Sequence, residues 1–247
     1  MIEVAVEAVK KAGQITSTYF SQVQKVSYKH LDREVVSEVD IKAESAIKET
    51  VKSRFPDHGF LGEETGRDSQ KSEYVWIADP IDGTVNYSRG LKKYGISLAL
   101  SKNREVILGV VFNPISGEMF TAERDKKAYL NGEPIHVNKN VDLFQAVVYA
   151  SEFSRSKEVI KGLFDSVKNL RIASSSAYDT CMVACGRTEA FIKVTTHPWG
   201  FAAANLIVEE AGGKVTNLDG TPWNTDSTIM LISNGVLHDQ LLSLLRR

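Results

Sequence analysis

An apolar run, YVWIA at residues 74–78, leads straight into DPIDGT at residues 79–84, and this junction constrains the fold more than any other stretch. Aromatic and β-branched residues in a short run predict a largely buried strand. Asp79 is then expected at the strand's exposed carboxyl end. Pro80 fixes its own φ and removes a donor, which predicts a turn there, and Gly83 permits a tight or left-handed backbone before the next segment. The carboxylates of Asp79 and Asp82 then face one small volume. Crowded without a counter-charge they repel and take up protons, whereas a hard, oxygen-seeking cation such as magnesium keeps both ionised. If Gly83 and Thr84 open a helix, their N–H groups suit phosphate oxygens. A plain Asp-Pro/Asp-Gly turn is the alternative for so short a motif, because turns favour the same residues.

Other acids bear on that choice. Upstream, GFLGEET predicts a short strand at residues 59–62 that ends at Glu63 and Glu64, which serve either as a site or as a solvated loop. Further back, VVSEVDIKAESAI places Asp40 at the start of a helix whose apolar face runs through Ala43, Ala46, Ile47 and Val51. Asp40 there is either a functional acid or the helix N-cap.

With these residues in place the sequence resembles the inositol monophosphatase family, part of the lithium-sensitive, magnesium-dependent sugar phosphatase superfamily that includes fructose-1,6-bisphosphatase. The resemblance covers nearly the whole chain. It is carried by GEE at 62–64, DPIDGTVNY at 79–87 and HPWGFAAANLIVEEAGG at 197–213, in the family's order and separations, with Asp40 ahead of them. It implies an α+β fold, a layered α-β-α-β-α sandwich, commonly a homodimer. It also implies two or three Mg2+ ions: a first on Glu63, Asp79 and the carbonyl of Ile81, a second shared by Asp79 and Asp82, and a water-rich third helped by Glu63. Glu63, Thr84 and Asp40 form the implied catalytic set, with Thr84 and Asp40 orienting and deprotonating the attacking water. Gly83 and Thr84 supply backbone donors to the phosphate. The implied reaction is direct in-line hydrolysis of a phosphate monoester, without a phosphoenzyme.

One position departs from the family. Where Trp-Asp is usual, with that Asp a ligand of the second metal, this chain has Trp199 followed by Gly200. A glycine offers no side-chain oxygen, so the second site must use water, find another donor or bind more weakly. Activity is therefore expected to be weak or to need high magnesium, with poor inhibition by lithium. His197 is expected to be a packing or turn residue, since magnesium prefers oxygen. By register, the family's sugar contacts fall on Ser174, Ser175, Ser176 and Lys193; the serines equally suit a polar loop after a strand at 170–173. Lys193, with Arg171, would suit a second phosphate, and an exposed strand-end lysine is the plainer reading. The substrates implied are myo-inositol 1-phosphate and fructose 1,6-bisphosphate. Alternatives are a weakly active or inactive protein with a binding or regulatory role, or a nucleoside 3′,5′-bisphosphatase or histidinol phosphatase.

Composition narrows the field further. The 247 residues, 43% hydrophobic and 25% charged, suffice for a large core. A net charge of −1 gives no general attraction to nucleic acid. No apolar run approaches the roughly 20 residues that cross a bilayer, and the chain starts without a leader-like segment, so no membrane partner and a cytoplasmic location are expected. Cys181 and Cys185, four apart on a predicted helix, suit packing in a reducing compartment. No GxxxxGK[ST] phosphate loop occurs. Helices are predicted at 3–22, 40–54, 157–168, 177–185, 199–211 and 236–245. Strands are predicted at 74–78, 94–100, 106–112, 118–122, 146–150, 190–194 and 228–232, with a hairpin turn at Asn131–Pro134 after 128–130. Runs of strands bounded by helices argue for sheets between helix layers. A boundary near 140–142 divides a half at 1–141, carrying the acidic motifs, from a half at 142–247, with the site in the cleft between them.

Overall fold

The computed structural model describes residues 1–20, 26–29, 34–68, 71–151, 153–172, 174–194 and 197–246. Helix α1 (Ile2–Tyr19) buries Ala5, Ala8, Val9 and Ala12 on one face, and α2 (Glu38–Arg54) buries Val39, Ala43, Ile47 and Val51 at the helical spacing read from the sequence. An antiparallel pair, β1 (Val26–Lys29) and β2 (Glu34–Ser37), lies between them in the chain. Residues 21–22, the predicted end of the first helix, lie outside the described residues, as does residue 173 at the predicted end of a strand.

The next segment builds one large sheet. Its strands are β3 (Gly59–Gly62), β4 (Gly66–Arg67), β5 (Tyr74–Asp82), β6 (Gly95–Lys102), β7 (Glu105–Asn113), β8 (Glu118–Glu123), β9 (Ala128–Leu130) and β10 (Glu133–Ile135), with the short helix α3 (Thr84–Ser88) after β5. Their order is β10-β9-β8-β7-β6-β5-β3-β4, antiparallel except where β3 runs parallel to β5. The predicted hairpin turn forms at Asn131 and Gly132, with φ of 52° and 87°. Paired left-handed residues give the turn that matches strand twist.

A second sheet of five strands follows: β11 (Val147–Ala150), β12 (Asn169–Ile172), β13 (Ala190–Val194), β14 (Lys214–Asn217) and β15 (Ile229–Ser233), ordered β12-β11-β13-β15-β14. Helices α4 (Phe153–Ser156), α5 (Ser176–Ala184), α6 (Ala202–Glu210) and α7 (His238–Leu245) intervene. Helices α1 and α2 join Trp76, Leu98 and Val110 in a core on one face of the large sheet. The opposite face, through Ile77, Val111 and Phe120, packs on α5 and α6, which in turn pack on Phe191 and Ile232 of the small sheet. Leu241 and Leu245 of α7 cover that sheet's far face with Ile192 and Leu231. The layers are therefore α-β-α-β-α, the α+β architecture that the resemblance implied. Each fully buried Leu, Ile or Phe in these interfaces stabilises the fold by roughly 1.5–3 kcal/mol.

Two local readings are corrected. The helix predicted at 157–168 is absent: a turn at Phe153–Ser156 and a 3-10 turn at Lys161–Leu163 replace it. Ile160, Leu163 and Val167 are buried as the periodicity asked, yet a Cβ on Gly162 would stand 2.1 Å from the carbonyl oxygen of Leu244, so the segment lies hard against α7. The second correction concerns Pro80, where no turn forms. Strand β5 continues through it to Asp82, and its register against β6 shifts between Asp79 and Asp82, leaving Pro80 and Ile81 opposite Ile96. A bulge spares Pro80 the ladder donor it lacks.

Candidate active site

The bulge decides where the acids point. Asp79 is 4% and Asp82 6% exposed, so neither sits at an exposed strand end as expected. Around the bulge the N–H of Ile81 donates to Asp79 Oδ1 at 3.1 Å, and the Thr84 hydroxyl donates to the Ile81 carbonyl at 3.2 Å. Gly83, at φ 99° and ψ 42°, takes the left-handed turn that opens α3. A side chain there would be strained and would meet the Ser174 carbonyl and Ser175 Cβ at 3.0 Å.

Glu63 follows β3 directly, and parallel pairing of Gly62 with Ala78 sets it beside Asp79. The two carboxyls are in hydrogen-bond contact. Burial pushes the Asp79 carboxyl well above the usual carboxylate range, and the charges of Glu63, Asp82 and Asp40 push it further the same way. Asp40 lies in the first turn of α2 at 2% exposure, close enough to act on both Asp79 and the Tyr87 hydroxyl. It is therefore a buried acid facing the cluster from the helix's first turn.

The sequence reading missed Glu44. Fully buried on α2, it accepts from the backbone N–H groups of Glu64 and Thr65, each at 2.8 Å, and so pins the loop that carries Glu63. Gly62 makes room for it: a Cβ there would fall 2.3 Å from the Glu44 carboxyl. A glycine directly ahead of the paired glutamates was the available signal.

Asp82 is held differently. Its Oδ2 accepts from the Ser175 hydroxyl at 2.7 Å and from the N–H groups of Ala177 and Tyr178 at 2.8 and 3.4 Å, while Oδ1 accepts from the N–H of Ser176 at 2.9 Å. It thus caps the start of α5 from another element. Burial raises the Asp82 carboxyl above its usual range, opposed first by the Lys193 ammonium and then by these donors. Lys193 is 7% exposed, not an exposed strand end, and hydrogen-bonds to the Ser176 hydroxyl.

Other predicted contacts disperse. Ser174 is exposed and lines a cleft of about 690 Å³ with Asn86, Lys92, Lys93, Tyr149 and Tyr178. Arg171 is exposed on edge strand β12, opposite Tyr149. His197 stacks on Trp199 with ring centroids 4.3 Å apart and planes 5° from parallel, the packing role expected of it.

Among the described residues, no group of three His, Cys, Asp or Glu side chains is arrayed to hold a metal unaided. The pair Glu63–Asp79 still fits Mg2+, which binds through one or two carboxylates and completes its octahedron with water and substrate oxygens. The Ile81 carbonyl beside them adds a hard oxygen.

Comparison with known proteins now bears on this geometry. The profile described as the inositol monophosphatase family matches residues 1–247. The chain belongs to the inositol monophosphatase family. It is 33% identical to the fructose-1,6-bisphosphatase/inositol-1-monophosphatase of Thermotoga maritima over 98% of this chain and 94% of that one. It is 35% identical to inositol monophosphatase 3 of Solanum lycopersicum, covering 99% and 96%. Among solved structures, a Thermotoga maritima IMPase superposes with TM-score 0.93 at 32% identity, covering 99% of this chain and 96% of that one. The extragenic suppressor protein suhB of Bartonella henselae gives TM-score 0.94 at 30% identity, covering 100% and 98%. Like its family, the protein is a phosphoric monoester hydrolase acting on sugar-type phosphates. No helix among the described residues is long and apolar enough to cross a membrane.

Proposed function

We propose that this protein hydrolyses a small sugar or polyol phosphate monoester with Mg2+, with myo-inositol 1-phosphate and fructose 1,6-bisphosphate as its substrates. The observation that carries this reading is the contact of half-buried Glu63 with buried Asp79, under the field of Asp40 and Asp82. Acids in contact out of bulk water repel unless protonated or neutralised, and a divalent ion neutralises them while leaving oxygens free to bind an ester. Glu63, Asp79 and the Ile81 carbonyl would hold Mg2+, which when bound lowers the pKa of water and offsets charge on the transferred phosphoryl group.

The chain's own groups do the rest. Thr84 orients the attacking water through its hydroxyl, already fixed on Ile81, and Asp40 takes the proton. The N–H groups of Gly83 and Thr84 face the phosphate oxygens. Glu44 keeps Glu63 in place through the loop at 63–65. Named relatives that combine fructose-1,6-bisphosphatase with inositol-1-monophosphatase support both substrates. A homodimer in the cytoplasm belongs to the same reading.

Phosphate release from a panel comprising these two esters, a nucleoside 3′,5′-bisphosphate and histidinol phosphate, at low and raised Mg2+, tests it. Fastest turnover of an inositol or fructose ester, strongly lowered by Asp79→Asn, is expected. No release from any ester at raised Mg2+ would leave a binding or regulatory role instead.

A further inference from the structure

The Asp82 end of the site already contains a cation of the chain's own. Lys193 reaches from β13 to the first turn of α5, where its ammonium meets the hydroxyl of Ser176, the residue whose N–H donates to Asp82 Oδ1 at 2.9 Å. Across from it stands Gly200. A Cβ built on Gly200 would lie 3.4 Å from Lys193 Nζ, the one atom of the described residues beyond its chain neighbours within 4 Å. Any side chain at position 200 would therefore project onto the ammonium.

The oxygens of Asp82 are also largely engaged: the Ser175 hydroxyl and the N–H groups of Ala177 and Tyr178 crowd Oδ2, and the N–H of Ser176 takes one of the two lone-pair directions of Oδ1. Asp79, by contrast, accepts from the N–H of Ile81 at 3.1 Å and otherwise meets the carboxyl of Glu63. Two buried carboxylates on one strand thus meet opposite surroundings: one faces acids, the other a ring of donors and a lysine.

We propose that the Lys193 ammonium is a built-in cation in the place a divalent ion would take beside Asp82, so that metal binds only at the Glu63–Asp79 end, and that position 200 faces this ammonium. The proposal rests on the phosphatase reading above for its chemical meaning. It makes Lys193 and Gly200 one coupled device: a carboxylate placed at 200 alone would pair with the lysine instead of ligating metal. A fixed ammonium carries its positive charge at any metal concentration.

The test counts ions. Mn2+ binding to the intact protein is measured by the EPR signal of free Mn2+ and by calorimetry, for wild type, Gly200→Asp, Lys193→Gln and the double variant, each checked for folding by circular dichroism. One Mn2+ per chain is expected for wild type and for Gly200→Asp, and two for the double variant. Two ions on wild type, or a second ion gained by Gly200→Asp alone, would overturn the proposal. The wild-type count decides the matter even if Lys193→Gln does not fold. Phosphate release by the same wild-type sample keeps the two readings apart: turnover with two ions bound sinks the built-in cation and keeps the phosphatase, whereas one ion bound without turnover of any ester does the reverse.

Discussion

Asp79 and Asp82 lie on the same strand, three residues apart and both buried, yet the fold treats them as opposites. Asp79 is pressed against Glu63 with Asp40 behind it, so its charge is costly until a ligand arrives. Asp82 is satisfied before any ligand binds, by α5, Ser175 and Lys193. The bulge between them sets Asp79 opposite Ser97 and Asp82 opposite Gly95, on one face of the sheet, so the difference comes from the groups packed around each. The comparison separates a carboxylate crowded by other acids from one already met by donors and a cation, a distinction that burial alone does not make.

The widest expected gap between them is in catalysis. Asp79→Asn should lower kcat/KM by on the order of 10³-fold, the scale set by removing a principal charge-stabilising group. Its metal-free melting temperature should hold or rise, because a repelling acid is gone. A clear loss of metal-free stability in this variant would break the contrast.

Asp82→Asn should show the reverse emphasis. It removes the charged cap of α5 and leaves Lys193 buried beside a neutral group, for a cost of about 3 kcal/mol in urea unfolding. A loss no larger than that of Asp79→Asn would show that the donors around Asp82 are incidental.

Acid unfolding must be corrected for His238 before either carboxylate can be titrated. Its ring is buried between the hydroxyls of Thr216 and Ser233, at 2.9 and 2.7 Å, and burial pulls its pKa from 6.5 down to about 4. The folded state keeps the ring neutral while the unfolded chain takes up the proton. The stability present above pH 6.5 is thus lost as pH falls toward about 4. At about 1.4 kcal/mol per unit the loss is roughly 3 kcal/mol over that window. His238→Gln should flatten this limb of the pH–stability curve; an unchanged limb would assign it to the carboxylates.

The smallest effect sharpens the Asp79 side. Glu44→Gln retains one acceptor for the N–H groups of Glu64 and Thr65 and should lower kcat/KM by about 10-fold, the scale of an outer-shell change. Its Mn2+ affinity should fall with it. Weaker activity at unchanged metal affinity would mean that Glu44 does not act through Glu63.

Much of this was legible beforehand, because it rests on short-range rules. The strand through Tyr74–Ala78, the left-handed Gly83, the helix behind Asp40 and the Asn131–Gly132 turn follow from side-chain shape and backbone sterics. The three motifs in register identified the family and hence the layered fold. Local rules failed where distant residues press on the chain: α7 against Gly162 undid a helix, and pairing with β6 carried β5 through Pro80.

The sequence by itself determined which acids exist, which strand delivers them and that position 200 brings no oxygen. Only the tertiary structure decided their division of labour. Ser176 and Lys193 are distant from Asp82 along the chain, as Gly200 is from Lys193, and they meet only when the two sheets close on α5. Whether a buried carboxylate is neutralised depends on groups within a few ångströms, and those distances exist only once the layers have packed.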